Sequence, residues 1–139
     1  MSAKSLSLLF SLISLINSAI SCNGGEVTDP ICDPDFITFG KSDGADIIDV
    51  TWANYSLIAG SATMTVSCTA DTADGINRIA SMTFLDGRTP LESYDLKRTV
   101  SVKLACSQPG NNWQYSAVVN GVAFATNVTG VDCEQFSMP

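Results

Sequence analysis

Apolar and polar residues alternate along most of the chain that follows the N-terminal segment. No window has the three-and-four spacing of an amphipathic helix, so the pattern predicts strands throughout. Turns rich in glycine, asparagine and aspartate separate short segments, which is typical of two packed sheets. We therefore predict an all-β sandwich, immunoglobulin-like or of a related two-sheet architecture. The candidate strands are Phe36 to Phe39, Asp46 to Trp52, Tyr55 to Ile58, Thr63 to Thr69, Arg78 to Leu85, Thr99 to Cys106, Asn112 to Val119 and Val122 to Cys133.

The pair Asn120-Gly121 predicts a tight hairpin. A two-residue type I′ turn needs positive φ at both central positions, and Asn-Gly tolerates this best. The opposed pairs on one face are then Val119 and Val122, Ala117 and Phe124, Tyr115 and Thr126, and Trp113 and Val128. Beyond these pairs, Val131 and Cys133 fall on the opposite side of the alternation from Phe124 and Val128. They can point inward too only if the strand contains an extra residue, which predicts a β-bulge at Gly130.

The first 21 residues have the pattern of a signal peptide: a positive charge at Lys4, an apolar run, then Ala19 and Ser21 before Cys22. The apolar run is too short for a membrane-spanning helix, and the C-terminus has no apolar tail. We expect cleavage and secretion rather than membrane insertion; a lipid-modified Cys22 is the less favoured alternative. The predicted organisation is a signal peptide at 1–21, a flexible leader at 22–31 and a single disulfide-stapled domain at 32–139.

Five cysteines remain after cleavage, and in an oxidising compartment a domain of this size is expected to pair them. Strand parity points Cys68, Cys106 and Cys133 inward. Cys22 lies outside the domain, and we expect it to be unpaired, linked to a second chain as a dimer, or removed by cleavage. Cys32, Cys68, Cys106 and Cys133 then form two bridges in one of three connectivities. A metal-thiolate site is the less favoured alternative because the spacing is wide.

Charge and composition exclude several functions. Without the signal peptide the chain has 6 basic and 14 acidic residues, a net charge of −8, which disfavours nucleic acid and anionic membranes as partners. The chain has no histidine, so Ser-His-Asp and Cys-His catalysis are absent. Acid-only chemistry stays formally possible, but no spacing singles out a pair. We predict no enzyme activity, no cofactor and no metal site.

Some residues have two interpretations. Asn54 and Asn127 begin glycosylation sequons, with Asn127 predicted to face solvent and Asn54 to be partly covered. Trp52 and Trp113 are candidates for recognition, although core packing is favoured for both. Five acids could gather around calcium, although solvated side chains are the simpler interpretation; they are Asp33, Asp35, Asp43, Asp46 and Asp49.

Four segments carry a family resemblance: ICDPDFITF, GSATMTVSC, IASMTFLDG and VSVKLACSQPGNNWQYSAVVNGVAFATNVTGVDC. They resemble the six-cysteine extracellular domain of nematode secreted and surface proteins, whose function is not established. In that family an N-terminal CxxC precedes a cysteine seven residues before the next one. Asp29 and Ser61 stand at the two missing positions, and the family pattern implies that these two cysteines pair and are lost together.

A looser similarity to complement-control modules implies first-to-third and second-to-fourth pairing. It favours Cys32 with Cys106 and Cys68 with Cys133. An immunoglobulin domain is the other alternative, since Cys68 and Cys133 are widely separated, but Met82 stands near the place of its expected tryptophan.

These observations favour a secreted, non-enzymatic extracellular module that binds an extracellular protein or glycan, or contributes to a matrix or surface. The alternative is a secreted inhibitor or effector that binds another protein through the segment from Asp86 to Lys97. A carboxylate-based hydrolase is a distant third.

Overall fold

The computed structural model describes residues 32–107 and 112–139. This part of the chain has nine strands, two short 3₁₀ turns at Pro34–Phe36 and Leu91–Asp95, and no α-helix, so the predicted all-β class is confirmed. No helix among these residues is long and apolar enough to cross a membrane. The strands are β1 Thr38–Phe39, β2 Ile47–Ile48, β3 Val50–Ile58, β4 Ser61–Thr69, β5 Arg78–Phe84, β6 Thr99–Ser107, β7 Trp113–Val119, β8 Val122–Asn127 and β9 Gly130–Ser137.

Two sheets of unequal width form the sandwich. The wider sheet has five strands in the order β3-β4-β6-β7-β8. In the narrower sheet β9 is central: β5 pairs antiparallel along one side, and β1 and β2 pair in succession along the other, β1 parallel and β2 antiparallel. The second sheet is therefore only three strands wide at any level, so the first extends beyond it.

The predicted hairpin at Asn120-Gly121 is confirmed. Asn120 and Gly121 have φ of 50° and 79°. The ladder pairs Val119 with Val122, Ala117 with Phe124 and Tyr115 with Thr126, and the N–H of Val128 donates to the Trp113 carbonyl at 2.8 Å.

The predicted single strand from Val122 to Cys133 is wrong, because the chain changes sheets within it. β8 ends at Asn127 in the wider sheet, and β9 begins at Gly130 in the narrower one. The change of parity between Val128 and Val131 comes from this crossing and not from a bulge. Gly130 lies at the crossing, where an added Cβ would collide with the side chain of Leu85 and approach the Thr38 carbonyl oxygen to 3.1 Å.

Near the N-terminus of the domain, the observed strand boundaries differ from the predicted ones. The predicted strand at Phe36 to Phe39 is reduced to Thr38–Phe39, because Phe36 ends a 3₁₀ turn. Pro34 begins this turn, and the Asp33 side chain caps it by accepting the Asp35 N–H. The segment predicted as Asp46 to Trp52 divides into β2 and β3. β3 continues through Ile58, with its register interrupted between Ala53 and Ser56.

The core lies between the sheets and is crossed by a disulfide. Cys68 on β4 is bonded to Cys133 on β9, which ties one sheet to the other with Cα atoms 5.8 Å apart. Cys32 is bonded to Cys106 on β6, with Cα atoms 5.7 Å apart. This is the pairing that the looser similarity to complement-control modules favours. The predicted inward orientation of Cys68, Cys106 and Cys133 is confirmed, since all three are buried.

The signal peptide at 1–21, the leader at 22–31, Cys22, Asp29 and the turn Pro109-Gly110 lie outside the described residues. The expectations about them stay predictions.

Candidate binding surface

The unequal widths of the sheets leave apolar side chains exposed at both edges of the wider one. Trp52 on β3 is opposite Val66 on β4 and shares its face of the sheet, yet Val66 is fully buried and Trp52 is 45% exposed. On the other edge, Val122 and Phe124 are 67% and 41% exposed although they extend the buried row of Thr126. The predicted core position of Trp52 is therefore wrong: the three-strand sheet covers the start of β3 at Val50 but leaves Trp52 exposed.

The β3 edge surface consists of Trp52, Tyr55 and Leu57. The Tyr55 ring makes an edge-to-face contact with the Trp113 ring, with centroids 6.4 Å apart. Trp113 is buried, as predicted, and its indole N–H donates to the Asp33 carbonyl at 3.0 Å. Tyr55 thus contacts a fixed core residue, which orients it without burying it. The surface combines two half-exposed aromatic rings with a rigid backing, and such side chains are the usual anchors of recognition surfaces.

Asn54 lies within this edge, at the interruption of the β3 register. Its φ is 57°, a left-handed conformation that asparagine tolerates better than most residues. The predicted partial cover of Asn54 is wrong, because the residue is exposed.

Asn127, at the end of β8, is exposed as predicted. Its Oδ1 accepts a hydrogen bond from Nε2 of Gln114 at 3.0 Å, which leaves its Nδ2 available for glycan attachment. Occupancy of both sequons stays a prediction.

A second apolar surface lies on the β7–β8 hairpin. It contains a shallow hollow of about 320 Å³. The lining residues are Ser116, Ala117, Val118, Ala123, Phe124 and Ala125. None of these side chains is charged, so the hollow offers van der Waals contact but no electrostatic selectivity.

The segment from Asp86 to Lys97, here called the braced loop, is held in place by hydrogen bonds to β5 and β7. The Ser93 hydroxyl accepts the Met82 N–H at 2.9 Å and donates to the Met82 carbonyl at 3.1 Å. The Tyr115 hydroxyl donates to a Glu92 carboxylate oxygen at 2.7 Å. Beyond these anchors the segment presents Tyr94, which is 68% exposed. The braced loop therefore displays one aromatic side chain on a fixed base.

A polar cleft of about 260 Å³ opens on the outer side of the narrower sheet. Three of its lining residues are the acids Asp43, Asp132 and Glu134, and Lys41 is the basic one. Within 32–107 and 112–139, no three Asp, Glu or Cys side chains are grouped closely enough to hold a metal ion. Among the five acids considered for calcium, Asp33 caps the 3₁₀ turn and Asp49 accepts the Ser42 N–H at 2.7 Å. These two carboxylates serve local turns.

Sequence reasoning identified both sequons but did not identify the β3 edge surface. Trp52 and Trp113 both occur in strands where apolar and polar residues alternate. No signal near Trp52 shows that its side chain, unlike that of Trp113, is left uncovered. The brace between Tyr115 and Glu92 was also missed, because residues 23 positions apart meet only through the packing of the two sheets.

Comparison with known proteins identifies one family. The model of the C6 domain matches residues 32–133, from the first to the last cysteine of the two bridges. No curated protein matches the chain, and no solved structure does.

Proposed function

Because the chain belongs to the C6 domain family, we propose that it is a secreted, non-enzymatic module that binds an extracellular protein or glycan through the β3 edge surface. One observation carries this proposal. Trp52 is held half-exposed beside Tyr55, on a frame closed by two disulfides.

Secretion is supported by the signal pattern at 1–21 and by the disulfides, which persist in oxidising compartments. We also infer that the chain is a member of the six-cysteine, nematode-type group that has lost one cysteine pair. Asp29 and Ser61 stand at the lost positions. Cys22, outside the matched residues, is proposed as a site for linking two chains.

The chemistry of the β3 edge surface fits a neutral, partly apolar ligand. β3 has no charged residue along its nine positions. A tryptophan ring can cover the C–H face of a sugar or fill a pocket on a protein, and its burial on binding removes a large apolar area from water. Because the contact with Trp113 already orients Tyr55, its side chain loses less conformational entropy on binding.

The test uses the mature protein, purified from culture medium, on a glycan array and on an array of secreted and surface ectodomains. We compare it with Trp52→Ala and with Tyr94→Ala, a matched loss of an exposed aromatic elsewhere. We expect a saturable ligand whose affinity falls at least tenfold in Trp52→Ala and is unchanged in Tyr94→Ala. Absence of any saturable ligand, or equal binding by Trp52→Ala, would contradict the proposal.

The braced loop supports a second candidate, an inhibitor or effector that binds another protein. Rigid presentation of Tyr94 is what such a role requires, because a pre-organised loop loses little entropy on binding. The same arrays distinguish the two candidates: loss of binding in Tyr94→Ala with retention in Trp52→Ala favours the loop.

A carboxylate hydrolase stays the third alternative, and hydrolysis of an arrayed glycan that is lost in Asp132→Asn would favour it.

A further inference from the structure

The two glycosylation sequons lie on opposite edges of the same sheet. The five-stranded sheet is bounded by β3 and β8. Asn54 lies in β3, Asn127 lies in β8, and both are exposed. The sequence alone does not reveal this relationship, because edge strands are defined only by the topology.

Neither edge strand has the charged residues or proline that often prevent pairing with another chain, and β8 also has no bulge. Edge strands are commonly blunted by charged residues, by proline or by bulges, since their unpaired N–H and C=O groups invite a further strand. β3 and β8 contain no charged residue and no proline. β3 does have an irregular register between Ala53 and Ser56, whereas the register of β8 is continuous.

The free side of β8 is built for antiparallel addition. The N–H of Val128 donates to the Trp113 carbonyl, and ladder bonds alternate along an antiparallel pair. Val122, Phe124 and Thr126 therefore direct their backbone groups toward β7. Ala123, Ala125 and Asn127 direct theirs outward, and no described strand pairs with that side. The two alanines leave the approach sterically open.

The charge distribution favours a second copy of the chain as the occupant. The protein has 14 acidic and 7 basic residues, so two copies repel each other over most of their surfaces. The stretch from residue 104 to residue 131 has no charged residue and includes the whole β7–β8 hairpin. The charged side chains of Asp86 and Arg88 reach β8 beside Thr126, and they form an ion pair with each other. Copies can therefore meet there with little net repulsion. A twofold axis through Ala125 would place Ala123 opposite Asn127 of the second copy and extend the sheet across both chains.

We propose that a glycan on Asn127 sterically blocks strand pairing at this edge, and that without the glycan two chains pair through their β8 strands. A glycan on the last residue of β8 is bulky and hydrated, and its motion occupies the volume that a second strand would need. Two such glycans would be confined at one interface. Loss of the Asn54 sequon should not cause β3 to pair in this way, because the β3 register is already interrupted between Ala53 and Ser56. This inference does not depend on the proposed ligand.

The test uses the full chain secreted from a eukaryotic host, in a Cys22→Ser background so that an interchain disulfide cannot form the dimer. Thr129→Ala removes the Asn127 sequon, and Thr129→Ser keeps it. Intact mass reports occupancy, and sedimentation at micromolar concentrations reports the mass in solution. We expect the Thr129→Ser variant to carry the glycan and stay monomeric, and the Thr129→Ala variant to show twice the chain mass. Ser56→Ala, with Ser56→Thr as its control, is expected to stay monomeric.

A rescue variant shows whether the pairing uses the β8 edge. Ala125→Lys, added to Thr129→Ala, places a charge on the twofold axis and should restore the monomer. Ala73→Lys, the same change on an exposed loop, should not. The proposal is overturned if Asn127 carries no glycan in the secreted chain, if Thr129→Ala stays monomeric, or if Ala73→Lys restores the monomer as well as Ala125→Lys does.

Discussion

The Tyr115 hydroxyl donates a hydrogen bond to the Glu92 carboxylate at 2.7 Å and accepts one from the Leu91 N–H at 3.1 Å. Tyr115 is in the wider sheet, whereas Glu92 and Leu91 are in the 3₁₀ turn that follows β5 of the narrower one. One buried hydroxyl therefore fastens the loop of one sheet to a strand of the other.

This contact predicts a loss of stability at high pH. Burial, and then the hydrogen bond to Glu92, raises the pKa of Tyr115 from 10.0 to about 12. Because the unfolded chain loses this proton first, the contribution is intact below pH 10 and is lost as the pH rises toward 12. We expect it to reach about 2–3 kcal/mol. Chemical unfolding across this pH range should show the decline in wild type and a smaller one in Tyr115→Phe. Equal declines would contradict the assignment.

Ser93→Ala should destabilise the domain by about 1–3 kcal/mol, because it leaves the buried N–H and carbonyl groups of Met82 without their shared partner. Denaturant unfolding measures the difference. Thr69→Ala is the control, since it removes a hydroxyl that bonds to Thr99 on the exposed face of the sheet. The prediction is wrong if both changes cost the same.

Gly130→Ala should cost about 1–3 kcal/mol, since the new methyl group would overlap the Leu85 side chain. Leu85 is half-exposed, so shortening it creates little cavity. The double variant Gly130→Ala with Leu85→Ala should therefore regain most of the loss, and a double-mutant cycle measures this coupling. Additive effects would show that the collision is not with Leu85.

Replacing both cysteines of either bridge by alanine should lower the unfolding free energy by about 2–4 kcal/mol. The two losses should be similar, because the bridges close chain segments of 74 and 65 residues. Unfolding under non-reducing conditions measures each loss. Peptide mapping provides the independent check, and a peptide linking Cys32 to Cys68 would contradict the pairing.

Local signals predicted the parts of the fold that depend on neighbours in sequence. Asn120-Gly121 determined the hairpin and the opposition of Tyr115 and Thr126, because turn type fixes register. Parity placed the three strand cysteines inward. Trp113 was correctly expected in the core.

The remaining features depend on which sheet a strand joins, and period-two patterns do not encode this. The alternation changes between Val128 and Val131, but a bulge and a change of sheet give the same pattern, so the sequence could not show that β8 and β9 belong to different sheets. The exposure of Trp52 follows from the same limitation. Whether an inward-facing side chain is covered depends on the width of the opposite sheet, which is a property of the whole topology.

The two disulfides interleave along the chain: Cys68 lies between Cys32 and Cys106, and Cys106 lies between Cys68 and Cys133. A single proteolytic cut anywhere from residue 32 to residue 133 therefore releases no fragment, because every such cut is spanned by at least one bridge. Side-by-side bridges, Cys32 to Cys68 and Cys106 to Cys133, would let one cut between residues 68 and 106 separate the domain into two pieces. The crossed arrangement keeps a nicked domain covalently whole.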